Sequence, residues 1–496
     1  MGLGWTILGG LAGATAKASA SLATGITGAV HDGVSQRGRF AARSGVLGPG
    51  DADPPPHSGD FYDYRGLLPV KALSPLAGMP FRLGAALDVH KGPRFDIGLT
   101  SGVLERHAAI IGPTGSGKTS SLVIPWIASA LQEGSSVVAI DVTGDLLDQI
   151  LAYRSVVGQL NARVARWDFT RPRESMSWNW LADLSTHESI RSAVDAIVGR
   201  ENPADPQPFF AQRDRRVLAA LIEAVRAANT EPSPNLVLRA AHDPSLLRRL
   251  AQLHPASRSA LDEITSQPGA EFSRAMSGIA NALAPFEHPN VRAITDRVEY
   301  TVESAFDTPS LIVVGAPLSG GSIATSVSAL LISQVIRTLY QRFGSNQGTN
   351  AFLVLDEAAR LADRINYEEL LSVSRRARVS VVLAMQNVTQ FKDKDEREAI
   401  LNNCSTYVSL PTPSRESASF FISRLGERRQ SSLGISRDGR TMRSHYTRSS
   451  DLVDVVPHRE VMDPPWGDHT AVVHSTQVSA APFLVDLARR DLAGAP

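Results

Sequence analysis

The sequence has almost none of the residues that could crosslink a fold or build a cysteine metal site. Its 496 residues include one cysteine, Cys404, so neither an intramolecular disulfide nor a cysteine metal cluster can form. Basic and acidic residues balance at 50 each, and this neutrality argues neither for nor against a nucleic-acid partner. Any DNA-facing surface must therefore be a local cluster, and the lone cysteine favours a reducing compartment.

A clear membrane span is also missing. The stretch 1–30 carries one charge, Lys17, but small residues dominate it and no basic segment precedes it, as a secretory signal would require. We expect a flexible or surface-docking arm there, followed over 31–60 by a linker rich in glycine, proline and serine. No later segment is expected to approach the length of about 20 apolar residues that a membrane span needs. Apolar residues at 43% and charged residues at 20% are nevertheless ordinary for a globular protein.

One glycine-rich motif follows a short apolar run over 108–111 and fits the phosphate-binding pattern of Gly, four residues, Gly-Lys-Thr. Its glycines permit backbone angles that are closed to residues with a Cβ, so successive N–H groups can form an anion nest. Lys118 can reach the β- and γ-phosphates, and Thr119 can offer its hydroxyl to Mg²⁺. With only six lysines in the chain, a chance match is rare, and the motif predicts ATP binding. Its residues are Gly112, Pro113, Thr114, Gly115, Ser116, Gly117, Lys118 and Thr119.

Two adjacent acids supply what such a loop needs from a neighbouring strand. The wholly apolar run 351–355 ends in Asp356 and Glu357. Asp356 can hold Mg²⁺ through water, and Glu357 can polarise the attacking water as a general base. The alternative is a solvated strand end. A further run, 379–384, leads to Gln386, which can either sense the γ-phosphate or cap a turn.

Apolar strands alternate with helical segments on both sides of a long helical region, which predicts an α/β fold. We expect about seven strands in a predominantly parallel sheet flanked by helices, in a P-loop ATPase of the RecA/FtsK type with an inserted all-α domain. The predicted divisions are an arm and linker over 1–60, ATPase segments over 61–184 and 299–480, the insertion over 185–298, and a tail over 481–496. The stretch 436–450 carries four arginines and predicts a solvated loop or a phosphate-contacting one.

Six blocks in this order resemble the TraG/TraD family of conjugative coupling proteins of type IV secretion systems, within the HerA-FtsK group of ring ATPases. The resemblance covers most of 106–429. The blocks are GPTGSGKT, SVVAIDVTGDLLDQILAYR with WDFTRPRESMSWNWL, LVLDEAARL, SRRARVSVVLAMQNVTQF and ILNNCSTYVSLPTPSRESASFFISRLGER.

The resemblance implies that Lys118 and Thr119 contact nucleotide, Asp356 and Glu357 serve magnesium and water, and Gln386 is the sensor. It implies a homo-oligomeric, hexameric ring that hydrolyses ATP with Mg²⁺. Such a ring would pump relaxase-bound, single-stranded DNA towards a secretion channel at the cytoplasmic face of the bacterial inner membrane. The insertion would face the relaxosome or the secretion machinery. A coupling ATPase for protein effectors and a non-hydrolysing scaffold remain alternatives, although a scaffold has no need of Glu357.

The sequence departs from the family pattern in two places, and it contains one further candidate site residue, an arginine. Family members generally carry amino-terminal spans, whereas this chain is expected to be cytoplasmic or peripherally attached, and the turn 141–145 lacks the usual lysine. In related ring ATPases an arginine some eleven residues before the sensor glutamine acts across the subunit boundary. That spacing assigns Arg375, with Arg376 and Arg378 nearby; the alternative is a basic helix end that complements the helix dipole.

Overall fold

The structure is a computed structural model that describes residues 66–153, 162–200, 208–228, 232–341, 350–377, 379–437 and 444–487. The predicted arm and linker over 1–60, residues 488–496 of the predicted tail and Arg378 lie outside these ranges. The chain forms two compact units. The larger comprises 69–424, 457–478 and 483–487, and the smaller comprises 66–68, 425–456 and 479–482. The predicted helical insertion belongs to the larger unit together with the sheet, and the predicted domain boundaries stay a prediction.

Parallel strands form the centre of the sheet in the larger unit, and they lie in the order β9, β3, β8, β7, β4, β6, β5. Their residues are mostly apolar and buried on both faces, as in parallel sheets covered by helices. The α/β fold class predicted from the sequence is confirmed. The strands are β1 Phe81–Asp88, β2 Gly92–Leu99, β3 Ala108–Ile111, β4 Ser136–Asp141, β5 Arg163–Trp167, β6 Ser310–Gly315, β7 Ala351–Leu355, β8 Val379–Met385, β9 Thr406–Ser409, β10 Glu427–Arg437, β11 Ser444–Asp454, β12 Thr470–Ser475 and β13 Phe483–Asp486.

An antiparallel extension adds β12, β13, β1 and β2 beyond β9, which makes an 11-stranded sheet. The seven parallel strands match the number expected from the sequence, and these four strands are additional to them. The extension gives β9 a hydrogen-bonded neighbour on its outer side. The parallel half therefore does not end in an open edge beside β3, the strand that leads into the glycine-rich loop.

Helices cover the parallel strands, and the described part of 187–295 consists of seven helices joined by short connections, without a strand, as predicted for the insertion. Several of them begin with proline in the first turn, where its missing N–H leaves no bond unmade. The α-helices are α1 Val70–Leu73, α2 Ser101–Leu104, α3 Ile124–Gln132, α4 Leu146–Ala152, α5 His187–Val198, α6 Pro208–Ala228, α7 Pro234–His242, α8 Pro244–Leu253, α9 Pro255–Thr265, α10 Gly269–Glu287, α11 Pro289–Thr295, α12 Gly321–Gln341, α13 Tyr367–Ser374, α14 Lys394–Asn402, α15 Arg415–Leu425 and α16 His458–Met462.

Helix α12 is the one helix among the described residues that is long and apolar enough to cross a membrane. The expectation that no later segment approaches membrane length is therefore wrong for this helix. Of its most apolar window, 78% is buried within the fold. Its apolar residues pack inside the protein, which is the ordinary position of a core helix.

The smaller unit contains a two-stranded antiparallel hairpin of β10 and β11. The sequence interpretation treats 436–450 as a loop, and this is wrong for the described part, because Ser444 to Ser450 pair in register with β10. The arginines of this stretch interrupt any apolar alternation, so the usual strand signal is missing. Residues 438–443 lie outside the described ranges.

Candidate active site

The candidate site lies where β3, β8 and β7 end at the same edge of the sheet. In register, Ile111 stands beside Met385, and Leu355 stands beside Leu383. The residues that follow these strands are therefore neighbours. This brings the glycine-rich loop, the pair Asp356 and Glu357, and Gln386 together, as expected from their positions after apolar runs.

The glycines of the loop serve two different purposes. Gly115 and Gly117 have φ of +79° and +90°, a region that favours glycine because other side chains are strained there. Gly112 has no such φ, so the expectation that all three glycines need unusual backbone angles is wrong at this position. A Cβ on Gly112 would lie 2.8 Å from Leu410 Cβ, so glycine is required there for close packing.

The chain after the loop enters its helix through a π turn, Thr119–Val123, that continues into α3. Such π turns occur often at functional sites because they alter the direction of side chains within a helix. Here the turn begins at Thr119, the residue expected to meet the metal.

Lys118 is buried, with 6% of its surface exposed. Its Nζ donates to the carbonyl oxygens of Gly112 at 2.6 Å and of Pro113 at 2.9 Å. Burial lowers the pKa of Lys118, while the carboxylates of Glu357 and Asp356 act in the opposite direction. An ammonium group held at the loop by neutral carbonyls fits an anionic phosphate, because a nearby negative charge would offset its desolvation.

Asp356 lies opposite the loop and is also buried. Its Oδ2 accepts a hydrogen bond of 3.4 Å from Thr119 Oγ1. Burial raises the pKa of Asp356, and the nearby Glu357 carboxylate raises it further. A hydroxyl and a carboxylate are oxygen ligands of the kind that Mg²⁺ accepts, so these two residues could hold the ion.

No group of three or more histidine, cysteine or acidic side chains suited to a metal is found in the described part of the chain. A protein-only metal cage is therefore not seen there. Mg²⁺ is commonly held by one or two protein oxygens together with phosphates and water. The pair Thr119 and Asp356 fits that mode of binding.

Glu357 has a left-handed backbone conformation, with φ 52° and ψ 47°. A non-glycine residue pays about 1–2 kcal/mol to adopt it, and such residues cluster at functional sites. Its Oε1 accepts from Gln386 Nε2 at 2.7 Å, and its Oε2 accepts from Gln390 Nε2 at 3.3 Å. The structure therefore holds both oxygens of the carboxylate in one orientation.

The sequence leaves two alternatives for the amides after β8, sensing the γ-phosphate or capping a turn. The structure shows the capping for Asn387, and the sensor role of Gln386 stays a prediction. Gln386 contacts Glu357, whereas Asn387 caps the short turn Val388–Gln390 by accepting from the backbone N–H of Thr389. Gln390 was missed. Its Oε1 accepts from the backbone N–H groups of Gln386 and Asn387, and the spacing of Asn387 and Gln390, typical of a capping box, was a usable signal.

The turn that lacks the family's lysine lies beside Asp356, because β4 is the neighbour of β7. Its first residue, Asp141, closes the turn with its own carboxylate. That carboxylate accepts from the backbone N–H groups of Thr143, Gly144 and Leu146 at 2.8–2.9 Å. The turn is therefore held without a basic side chain.

Arg375 does not lie with the other predicted residues. It begins a short 3-10 turn, Arg375–Ala377, immediately before β8, and its side chain is exposed. Gln386 follows the other end of β8, and seven residues of strand span about 23 Å. Within this chain, Arg375 is therefore at the opposite edge of the sheet from the loop.

A family model described as type IV secretory system conjugative DNA transfer matches residues 82–455. The chain belongs to this family. The resemblance to TraG/TraD-type coupling proteins predicted from the sequence is thereby confirmed. A search of curated protein sequences found no match.

Several solved structures share the fold of this conjugative DNA transfer family member. An unbound form of the bacterial conjugative coupling protein TrwBdeltaN70 aligns with a TM-score of 0.62 at 17% identity, covering 86% of this chain and 94% of that one. TrwB in complex with ADP and Mg²⁺ aligns with 0.61 at 16%, over the same shares of 86% and 94%. VirB4 of Thermoanaerobacter pseudethanolicus aligns with 0.50 at 12%, covering 84% and 98%. The TM-scores show that the fold is shared, and at these identities the likeness concerns the fold alone.

Proposed function

We propose that this chain is the ATP-hydrolysing coupling protein that passes DNA to a type IV secretion machinery. The observation that carries the proposal is that three features lie together at one edge of the sheet. They are the buried lysine of the loop, the hydrogen-bonded pair Thr119 and Asp356, and Glu357 with both carboxylate oxygens hydrogen-bonded. Family membership supports the DNA substrate and the secretion partner. The TrwB complex with ADP and Mg²⁺ supports the nucleotide and the metal.

Each residue has a separate task in this proposal. The loop N–H groups and Lys118 hold the phosphates, and Thr119 with Asp356 would hold Mg²⁺, which neutralises phosphate charge when bound. Glu357 accepts a proton from the attacking water. Gln386, which already bonds the Glu357 carboxylate, orients that base and senses the phosphate end of the nucleotide.

Single substitutions test this division of labour. Lys118→Ala should lose nucleotide binding, whereas Glu357→Gln should bind ATP but turn over at least about 10²-fold more slowly, the usual worth of a general base. Lys91→Ala and Glu368→Gln, at exposed residues of the same types, are matched controls that should behave like wild type. Wild-type hydrolysis by both Lys118→Ala and Glu357→Gln would end the assignment.

Arg375 takes part, in this proposal, in the site of a neighbouring subunit of a homo-oligomeric ring. Its exposure and its place at the far edge of its own sheet support action in trans. An arginine supplied to transferring phosphate is worth about 10³–10⁵ in rate. Arg375→Ala should therefore be inactive alone and regain activity when mixed with Lys118→Ala, because some interfaces then join an intact loop to an intact arginine. Arg376→Ala, at the exposed neighbour, is the matched control.

The nature of the cargo is tested by the response to nucleic acid. For a DNA translocase, single- or double-stranded DNA should raise the ATPase rate, and binding should weaken steeply with salt because phosphate contacts dominate. An ATPase without any DNA response, or with salt-independent binding, would favour protein effectors as cargo. Absence of hydrolysis under every condition would favour a scaffold.

A further inference from the structure

His107 is a buried histidine that the proposed chemistry does not use. It immediately precedes β3, the strand that leads into the phosphate loop, and only 2% of its surface is exposed. Its φ of 62° lies in the left-handed region, which it shares with Glu357 alone among the non-glycine residues that the structure describes. Such a conformation persists only where surrounding contacts hold it.

Two hydrogen bonds define the state of the imidazole. Its Nδ1 lies 3.2 Å from the backbone N–H of Val381 in β8, and because that group can only donate, Nδ1 accepts. The proton of the neutral ring is then on Nε2, which donates to the carbonyl of Leu371 at 2.9 Å. One tautomer satisfies both bonds.

The bond to Leu371 reaches the segment that carries Arg375. Leu371 lies in the last turn of α13, where the final four carbonyls have no partner inside the helix. The helix ends at Ser374, and Arg375 is the next residue. His107 thus connects the carboxyl end of this helix to the strand that ends in the phosphate loop.

The electrostatic setting agrees with a neutral ring beside a charged arginine. Burial lowers the pKa of His107, the hydrogen bond to Leu371 raises it and the nearby Arg375 guanidinium lowers it, so that together they bring it to about 4. At neutral pH the ring is therefore an uncharged hydrogen-bonding bridge. It does not add a second positive charge beside Arg375.

We propose that His107 is a positioning residue that sets the place of Arg375 through its hydrogen bond to the Leu371 carbonyl. The inference rests on the proposed role of Arg375 towards a neighbouring subunit. In this proposal His107 supports the loop strand of its own subunit, and it aligns the arginine that this subunit offers to the next.

Two amide substitutions separate this role from backbone support. Asparagine tolerates the left-handed region best and can still accept from the nearby Val381 N–H, but it is too short to reach Leu371. Glutamine places its amide N–H farther out, where it can replace the Nε2 donor. The proposal therefore expects His107→Gln to keep kcat, and His107→Asn to lose about 10²-fold in kcat, the effect of a misplacement of about 1 Å, at unchanged nucleotide affinity. A backbone role alone predicts the reverse order.

Mixed rings locate the defect. His107→Asn mixed with Lys118→Ala should regain activity, as expected for Arg375→Ala mixed with Lys118→Ala, because the damage lies on the arginine side. Active His107→Asn with inactive His107→Gln, or a loss in His107→Asn without rescue on mixing, would overturn the positioning role. If Arg375→Ala were rescued while His107→Asn kept full activity, only this inference would fall. If Arg375→Ala were fully active alone, the proposed role of Arg375 would fall and this inference with it.

Discussion

Two glutamines hold the Glu357 carboxylate, and only one of them, Gln386, is predicted from the sequence. Gln386 and Gln390 each donate to one of its oxygens. Gln390 also accepts from the backbone N–H groups at 386 and 387. It therefore supports both the proposed base and the loop that carries the proposed sensor.

We expect Gln390→Ala to lower kcat by up to about 10²-fold with little change in nucleotide affinity, because the base loses its orientation while the phosphate contacts remain. Steady-state ATPase kinetics and an equilibrium binding assay measure the two effects separately. Thr389→Ala is the matched control, since Thr389 is exposed and uses its backbone N–H in the turn. A weaker nucleotide affinity at unchanged kcat would contradict the role given to Gln390.

His107 also predicts a pH dependence of stability. Its pKa of about 4 in the folded protein lies below the ordinary 6.5, so the unfolded chain binds more protons between these values. The contribution of His107 is present above about pH 6.5 and is lost as pH falls towards 4. Between pH 7.5 and pH 5 the loss is about 2 kcal/mol.

Substitution by glutamine should remove that part of the acid sensitivity, because glutamine does not titrate. Unfolding followed at pH 7.5 and pH 5 should show a smaller difference for His107→Gln than for wild type. His90→Gln changes an exposed histidine and should leave the difference as it is. Equal acid sensitivity in wild type and His107→Gln would show that His107 does not titrate in this way.

At the scale of elements, helix α10 shows where packing outweighs helix propensity. Gly278 lies inside this helix, and replacement by alanine would normally stabilise it by about 1 kcal/mol. A Cβ at Gly278, however, would overlap the buried carboxylate of Asp214 in α6, with Cγ at 2.9 Å. Asp214 is in turn bound by Arg213, so it cannot yield without breaking that pair.

We therefore expect Gly278→Ala to destabilise the protein by about 1–3 kcal/mol, the usual cost of overpacking. Gly269→Ala is the matched control in the same helix, because a Cβ there has no neighbour within 4 Å. Thermal unfolding of the two variants beside wild type measures the contrast. A raised melting temperature for Gly278→Ala would mean that Asp214 moves aside freely.

At the scale of the whole molecule, two stretches of different character bear on membrane attachment. Helix α12 meets the length and composition of a span, but 78% of its apolar window is buried in the fold. Residues 1–30 lie outside the described ranges, and their composition favours an arm over a span. We therefore predict that α12 stays inside the fold and that residues 1–30 do not span a bilayer.

Alkaline carbonate treatment of membranes from cells that express the chain should release it into the soluble fraction, because peripheral contacts do not survive that treatment. A variant that lacks 1–30 serves as the comparison. Retention in the membrane pellet that disappears with this deletion would show that the arm spans the bilayer. Retention that persists after the deletion would instead point to α12.

Local sequence patterns were sufficient to predict the parallel strands and the candidate site residues that follow them. An apolar run buried on both faces, followed by glycine, an acid or an amide, marks a parallel strand and its functional end. This pattern located β3, β7 and β8 together with the loop, Asp356, Glu357 and Gln386. It also identified the helical insertion, since helical periodicity without strand runs is a property of neighbouring residues.

Contacts between distant residues were decided by the tertiary structure alone. His107 and Leu371 are 264 positions apart, and Gly112 needs to be glycine because it packs against Leu410. No local sequence pattern predicts either contact. The antiparallel strands β12 and β13 likewise acquire their places by pairing with β9 and β1. The sequence by itself determined the parallel strands, the glycine-rich loop and the candidate ligands at the strand ends, because backbone propensity and burial pattern are local. Only the fold decided which side chains meet, because packing joins residues that the chain keeps far apart.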